Sequence, residues 1–214
     1  MKNKVLFSFT KILLICVISC VSILAVIIAT INRHDRIGPV ISIDDDVYTA
    51  KQLVNISEDY VRKHVRIEGL YLSNISMHLN KSHRGEVILT YTYEKKGHFR
   101  RYDVTINSQN HVVDSLNYIE RSSTTSTRFM NFAEWRIDSD EAMDIALRTF
   151  RNRGFQFDEN TIWIDARMRA TNNCSWGILL FDNAFREKYG FNPSIFIDAF
   201  TGEISGFDLL FSPE

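Results

Sequence analysis

Six histidines, at positions 34, 64, 78, 83, 98 and 111, are the first residues to weigh for chemistry. A neutral imidazole can serve as a general base or as a metal ligand. His78 and His83 flank a turn-like stretch, but no carboxylate or cysteine pattern completes a familiar metal site around them. Asp44, Asp45 and Asp46 lack the alternating ligands and the glycine of a calcium loop, so they read as a solvated acidic stretch. Cys16 and Cys20 fall in an apolar N-terminal run. Cys174 is left without an intrachain disulfide partner; its thiol reads as buried, the alternative being an exposed thiol that cross-links two chains. The basic groups Lys95, Lys96, Arg100, Arg101 and Arg148, Arg151, Arg153 read as solvated charge. The aromatic set Trp163, Trp176, Phe181, Phe185, Tyr189 and Phe191 reads as core, the alternative being that some of it lines a groove.

An enzyme needs a nucleophile, a base and a means of stabilising charge. The chain has no G-x-S-x-G, H-E-x-x-H, P-loop or dinucleotide-type glycine pattern. The expectation is therefore a protein with no catalytic residue, no metal ligand and no cofactor. The formal net charge of -1 gives no electrostatic reason to expect nucleic acid. Hydrophobic content of 45% and charged content of 24% are ordinary for a chain that buries a proper core.

The elements that would position these residues begin with residues 12–31, ILLICVISCVSILAVIIATI, twenty residues without charge, proline or glycine. At about 1.5 Å per residue such a helix spans a bilayer core. Lys2, Lys4 and Lys11 precede it, which places residues 1–11 as a cytoplasmic tail and the remainder outside the cytoplasm. The run is longer than a usual signal-peptide core, and the sequence after Cys20 stays apolar, unlike that of a mature lipoprotein. Expected localisation is the cell membrane, single-pass, with the C-terminal part outside.

Residues 32–46 form a connector. Thr49, with Gln52 three residues on, looks like a capping box, and Leu53, Ile56, Tyr60 and Val61 follow at helical spacing, with an end near Val65. Strand-like runs cover 68–75, 86–93, 99–106 and 112–119, and residues 121–134 read as a linker. The pattern then restarts. Asp138 and Glu141 open a second helix with Ala142, Ile145, Ala146, Thr149 and Phe150, and Gly154 suits its end. Strand candidates follow at 161–168, 175–182, 194–200 and 203–211, with 183–192 read as a mobile loop. Thr49 and Asp138 are 89 residues apart. VTINSQNHVVDSL, from Val104, aligns with IFIDAFTGEISGF, from Ile195, at an offset of 91. The expected fold is α+β: a transmembrane helix, then two tandem units (47–120 and 135–214), each one helix on its own small antiparallel sheet. Ile195, Ile197, Ile204 and Phe207 are the expected buried face of the last hairpin.

DSDEAMDIALRTFRNRGF followed by IFIDAFTGEISGF resembles the PepSY and PepSY-like family. Glu141-Ala142, Ile145-Ala146, Asp198-Ala199 and Thr201-Gly202-Glu203-Ile204 carry the likeness, over about residues 135–211. The first unit follows only in outline, with Asn107 for the aspartate and Asn110-His111 for the Thr-Gly. Asp198, Thr201 and Gly202 have a structural reading first, as a turn that wants positive φ at glycine. The resemblance implies a secreted or membrane-attached bacterial protein that regulates a peptidase. The layout of short tail, anchor and two modules is also similar to TseB-like regulators of cell-wall elongation. The functional expectation is a membrane-anchored extracytoplasmic binding or regulatory protein with a protein partner in the cell envelope. The alternatives are an enzyme of undescribed type and a self-associating structural or sensor protein.

Overall fold

A computed structural model describes residues 35–43, 49–82, 84–95, 98–121, 130, 132–158, 163–169 and 174–211. The expected membrane helix at 12–31, Asp44 to Asp46, His34, His83 and most of the 121–134 linker lie outside these residues. Among the described residues no helix is long and apolar enough to cross a membrane.

Helix α1 (Ala50–His64) starts where the capping box was read. Gln52 N donates to Thr49 Oγ1 at 3.3 Å, and Thr49 N donates to Gln52 Oε1 at 3.1 Å. Ala50, Leu53, Val54, Ser57, Tyr60 and Val61 form its buried stripe, and Arg62, Lys63 and His64 suit the negative end of its dipole. Helix α2 (Ser139–Asn152) is capped by Asp138, whose carboxylate accepts from Ser139 N at 2.7 Å. It buries Ala142, Met143, Ala146 and Phe150, and the chain leaves it through Gly154 at φ 85.

The strands are β1 (Asp35–Arg36), β2 (Ile41–Ser42), β3 (Tyr71–Asn80), β4 (Gly85–Lys95), β5 (His98–Asn107), β6 (Val112–Arg121), β7 (Trp163–Arg169), β8 (Ser175–Phe181), β9 (Phe191–Asp198) and β10 (Ile204–Phe211). The eight long ones lie in one antiparallel sheet ordered β6-β5-β4-β3-β7-β8-β9-β10. This corrects the expected pair of separate small sheets. The first strand of each half would have been an open edge with unpaired N–H and C=O groups. Instead β3 and β7 pair with each other from Asn74↔Arg169 to Asn80↔Trp163, and the two hydrophobic faces become one. Nothing in a strand's own residues states which edge it will meet.

The pairing has an internal order. Met77 lies opposite Ala166, 89 positions on, and moving outward the partners diverge symmetrically from that pair. The last hairpins also agree in detail. Asn107 Oδ1 accepts from Gln109 N and Asn110 N, both at 3.0 Å, while Asp198 Oδ1 accepts from Phe200 N at 2.8 Å and Thr201 N at 2.9 Å. His111 (φ 52) and Gly202 (φ 76) occupy the same left-handed turn position, 91 residues apart. Each hairpin then has a one-residue bulge, at Asp114 and at Ser205.

The helix N-termini meet. Ala50 N donates to the buried Ser139 Oγ at 2.8 Å, Lys51 N lies 3.3 Å from each Asp138 oxygen, and Lys51 Nζ reaches Trp135 O at 2.6 Å. One aspartate thus sits at the positive ends of both helix dipoles. Both helices cover one face of the sheet, where Ile75, Met77, Leu79, Val87, Leu89, Val104, Ile106, Ile164, Ala166, Met168, Trp176, Ile178, Ile195 and Ile197 are buried as one core.

Candidate functional site

The opposite ends of the helices are where the halves part company. Beyond α1 a cleft of about 260 Å³ opens between the helix and strands β3 and β4. Val61, Val65, Ile67, Leu70, Leu72, Met130 and Phe132 supply apolar walls; Glu58, Arg62, Tyr71 and Tyr91 supply polar groups. Met130 reaches this place because its N–H bonds Leu72 O at 3.1 Å, beside β3. Ligand sites for drug-sized molecules run from roughly 300 to 1,000 Å³, so this cleft suits a single large side chain better than a whole metabolite.

Its polar groups are ordered from the core outward. Tyr91, buried, shares a short hydrogen bond with Ser57, whose hydroxyl also lies 2.9 Å from Val54 O. Burial holds the Tyr91 phenol far above its ordinary range, against the pull of the Ser57 hydrogen bond. The phenol therefore stays protonated across physiological pH and is no nucleophile; with the Ser57 proton given to Val54 O, the phenol donates its own to Ser57 Oγ. At the rim Arg62 Nη2 donates to Glu58 Oε2 at 2.9 Å across one helical turn, with Arg62 largely exposed.

The corresponding end of α2 is filled. Phe155 lies 5.4 Å from Phe185, 6.1 Å from Phe191 and 6.0 Å from Phe207, stacked on the last. Arg153 rests over the Phe207 ring at 4.0 Å. The segment expected as a mobile loop delivers two of these rings. It forms helix α3 (Asn183–Tyr189), capped by Asp182, whose Oδ1 accepts from Ala184 N at 2.9 Å, and closed by Gly190 at φ 76. Asp182 and Gly190 are its cap signals in the sequence, and seven residues are too few to add a clear helical period.

Other candidates from the sequence are dispersed. His78 stacks on Trp163 at 4.7 Å with rings 2° from parallel, on the face of the sheet that lacks the helices. Trp163 and Phe181 are 38% and 37% exposed there, so the core assignment fails for both, whereas Trp176 and Phe185 are buried. They stand on strand positions of outward parity, which an aromatic identity alone did not reveal. Asp165 holds Arg167 at 2.7 Å and lies 3.5 Å from His78 Nδ1. Among the described residues no three His, Cys, Asp or Glu side chains gather where they could hold a metal ion. Arg101 is paired with Asp103 at 2.7 Å, and Arg151 lies over Phe157 at 5.6 Å, so neither basic group forms a common anion site. Cys174 is half-buried, and desolvation pushes its thiol up and away from reactivity. Ile204, expected inside, is 43% exposed, while Ile195 and Ile197 are buried.

No family model matches the chain, and no curated protein matches it. Among solved structures, a provisionally assigned lipoprotein of Clostridium difficile 630 is similar at 10% sequence identity and a TM-score of 0.48, over 78% of this chain and 96% of that one.

Proposed function

We propose that the chain is a non-catalytic binding and regulatory protein, tethered to the cell membrane by residues 12–31, with its described part outside the cytoplasm. On this reading the two halves are diverged PepSY-like units that share one sheet. The ligand is a protein of the cell envelope, a peptidase or a cell-wall enzyme. Support for the location comes from the uncharged twenty-residue run and the lysines before it. Support for the lineage comes from the residues Asp198-Ala199 and Thr201-Gly202-Glu203-Ile204 and from the matched turns and bulges of the two hairpins.

The observation that carries the binding reading is the cleft at the end of α1. Its inner walls are apolar with a charged pair, Glu58 and Arg62, at the rim; it is sized for one side chain and is open where its counterpart is plugged. Anchoring residues of protein partners enter pockets of this kind, with polar groups at the rim fixing the backbone. The test is capture in living cells. A tagged full-length chain carrying a photoreactive residue in place of Arg62 is irradiated, and the adducts are identified by mass spectrometry. A reproducible peptidase or wall-synthesis enzyme is expected. Adducts with this chain alone would overturn the reading in favour of self-association.

A further inference from the structure

The two outer edges of the sheet are treated differently. Along β6 the chain's own residues 37–43 run as a strap. Ile41 and Ser42 pair with Val113 and Val112, Ile37 N donates to Leu116 O at 2.8 Å, and Ile43 N donates to His111 O at 2.7 Å. Tyr60 of α1 fixes the strap by donating its hydroxyl to Pro39 O. Under it, Val113 and Leu116 are fully buried. Along β10, among the described residues, no strand pairs with the outer side.

The matched hairpins show what is missing. At the offset of 91, Val113 corresponds to Ile204, Leu116 to Phe207 and His111 to Gly202, and the bulges at Asp114 and Ser205 keep that correspondence through the strand. Val113 is 0% exposed, whereas Ile204 is 43% exposed and Phe207 is only half-buried. Among the described residues, the second edge is the first without its strap.

We propose that β10 accepts an extended segment of a partner protein, running antiparallel to it over residues 202–207 as the strap runs along β6. Backbone hydrogen bonds would go to the carbonyls of Gly202 and Phe207, and an apolar side chain would cover Ile204. Glu203 and Asp208 are exposed at the two ends of this stretch, so the segment that fits carries apolar residues flanked by lysine or arginine. The same two acidic residues disfavour a second copy of β10. A self-pairing centred on 203–208 would set Glu203 of one chain against Asp208 of the other, like charges directly opposite. The inference extends the binding reading to a second surface and does not depend on the cleft.

The probe is a synthetic peptide of residues 37–43, IGPVISI, with two lysines at each end, added to the purified full-length chain in detergent. The readout is backbone hydrogen exchange. Saturating peptide should slow exchange at residues 204–208 by roughly tenfold or more. Ile204→Lys, at an exposed position, should raise the peptide concentration needed by about tenfold, and Asp208→Lys by about threefold, with unchanged melting of the chain. No slowing at 204–208, or slowing confined to β6 or to the α1 cleft, would overturn the proposal. Slowing that follows chain concentration without peptide would overturn it in favour of a dimer. None of these results touches capture from Arg62, so the two surfaces can fail separately.

Discussion

The end of α1 and the end of α2 hold the same place in two similar hairpin-and-helix arrangements, and they are built to opposite purposes. At the helical offset of 89, Val61 stands where Phe150 stands and Arg66 where Phe155 stands. The second half adds α3, which brings Phe185 and Tyr189 against Phe155. Rings stand where the first half has a valine and an arginine, and what is a cleft in one half is packed interior in the other. The lesson is that the plug of the second half is built from rings and from a helix, α3, that the described residues of the first half do not have.

The difference can be broken from the packed side. Phe185→Ala removes a buried ring from the aromatic plug and leaves a cavity, and the expected loss of stability is about 3 to 4 kcal/mol, read by urea unfolding of the full chain. The cleft of the first half should be unaffected, so a change in partner capture from Arg62 would show that the ends are coupled.

Ser139→Ala tests the seam instead. Its hydroxyl accepts from the buried Ala50 N, and without it that amide is unsatisfied. The expected cost is about 1 to 3 kcal/mol by the same measurement, with both helices losing order together because their N-termini share Asp138. Loss of α1 alone would show that the junction is less mutual than its hydrogen bonds indicate.

The turns supply a pair of opposite signs. Gly202→Ala should destabilise by about 1 to 2 kcal/mol, since φ is 76 and the new Cβ would lie 3.1 Å from Ile137 Cδ1. His111→Gly at the matched position relieves a left-handed side chain and should stabilise by a few tenths to about 1 kcal/mol, read as a shift in melting temperature. Equal signs would break the equivalence of the two hairpins.

The smallest effect is a pH dependence. The backbone N–H of Thr201, then that of Phe200, holds the Asp198 carboxyl below its ordinary value. A depressed folded value means the contribution is present above the unfolded value, near pH 4, and is lost as pH falls through the folded one. Asp198→Asn copies the Asn107 turn and should keep the fold while flattening that acid segment of the stability curve. An unchanged acid segment would show that the carboxylate adds nothing beyond what an amide gives.

Much of the local structure was legible. The capping box at Thr49, the start at Asp138, the exit at Gly154 and the turn at Asp198 are short-range chemistry, in which the side chain and the N–H it satisfies lie within a few residues. The joined sheet was not, because β3 could have met any open edge, and its alternation of apolar residues is the same in either arrangement. The cleft was hidden for a related reason. Val61, Val65 and Ile67 look like ordinary core residues, and only their comparison with Phe150 and Phe155 shows that space is left over. Trp163 and Phe181 were misplaced by composition, since an aromatic residue on a strand is interior or exterior according to its parity. The strand-like run from residue 68 becomes strand only at Tyr71, because the chain first turns through Gly69 at φ 82.

The most direct test of the account is to give the first half the plug of the second. Ile67→Phe places a ring at the mouth of the cleft, with stability expected to change by less than about 1 kcal/mol because unfilled space receives it. Photo-capture from position 62 is then compared in cells between the native and the plugged chain. The account predicts that the envelope partner captured by the native chain is lost from the plugged one at unchanged chain abundance. Equal capture by both would contradict the cleft as the binding site.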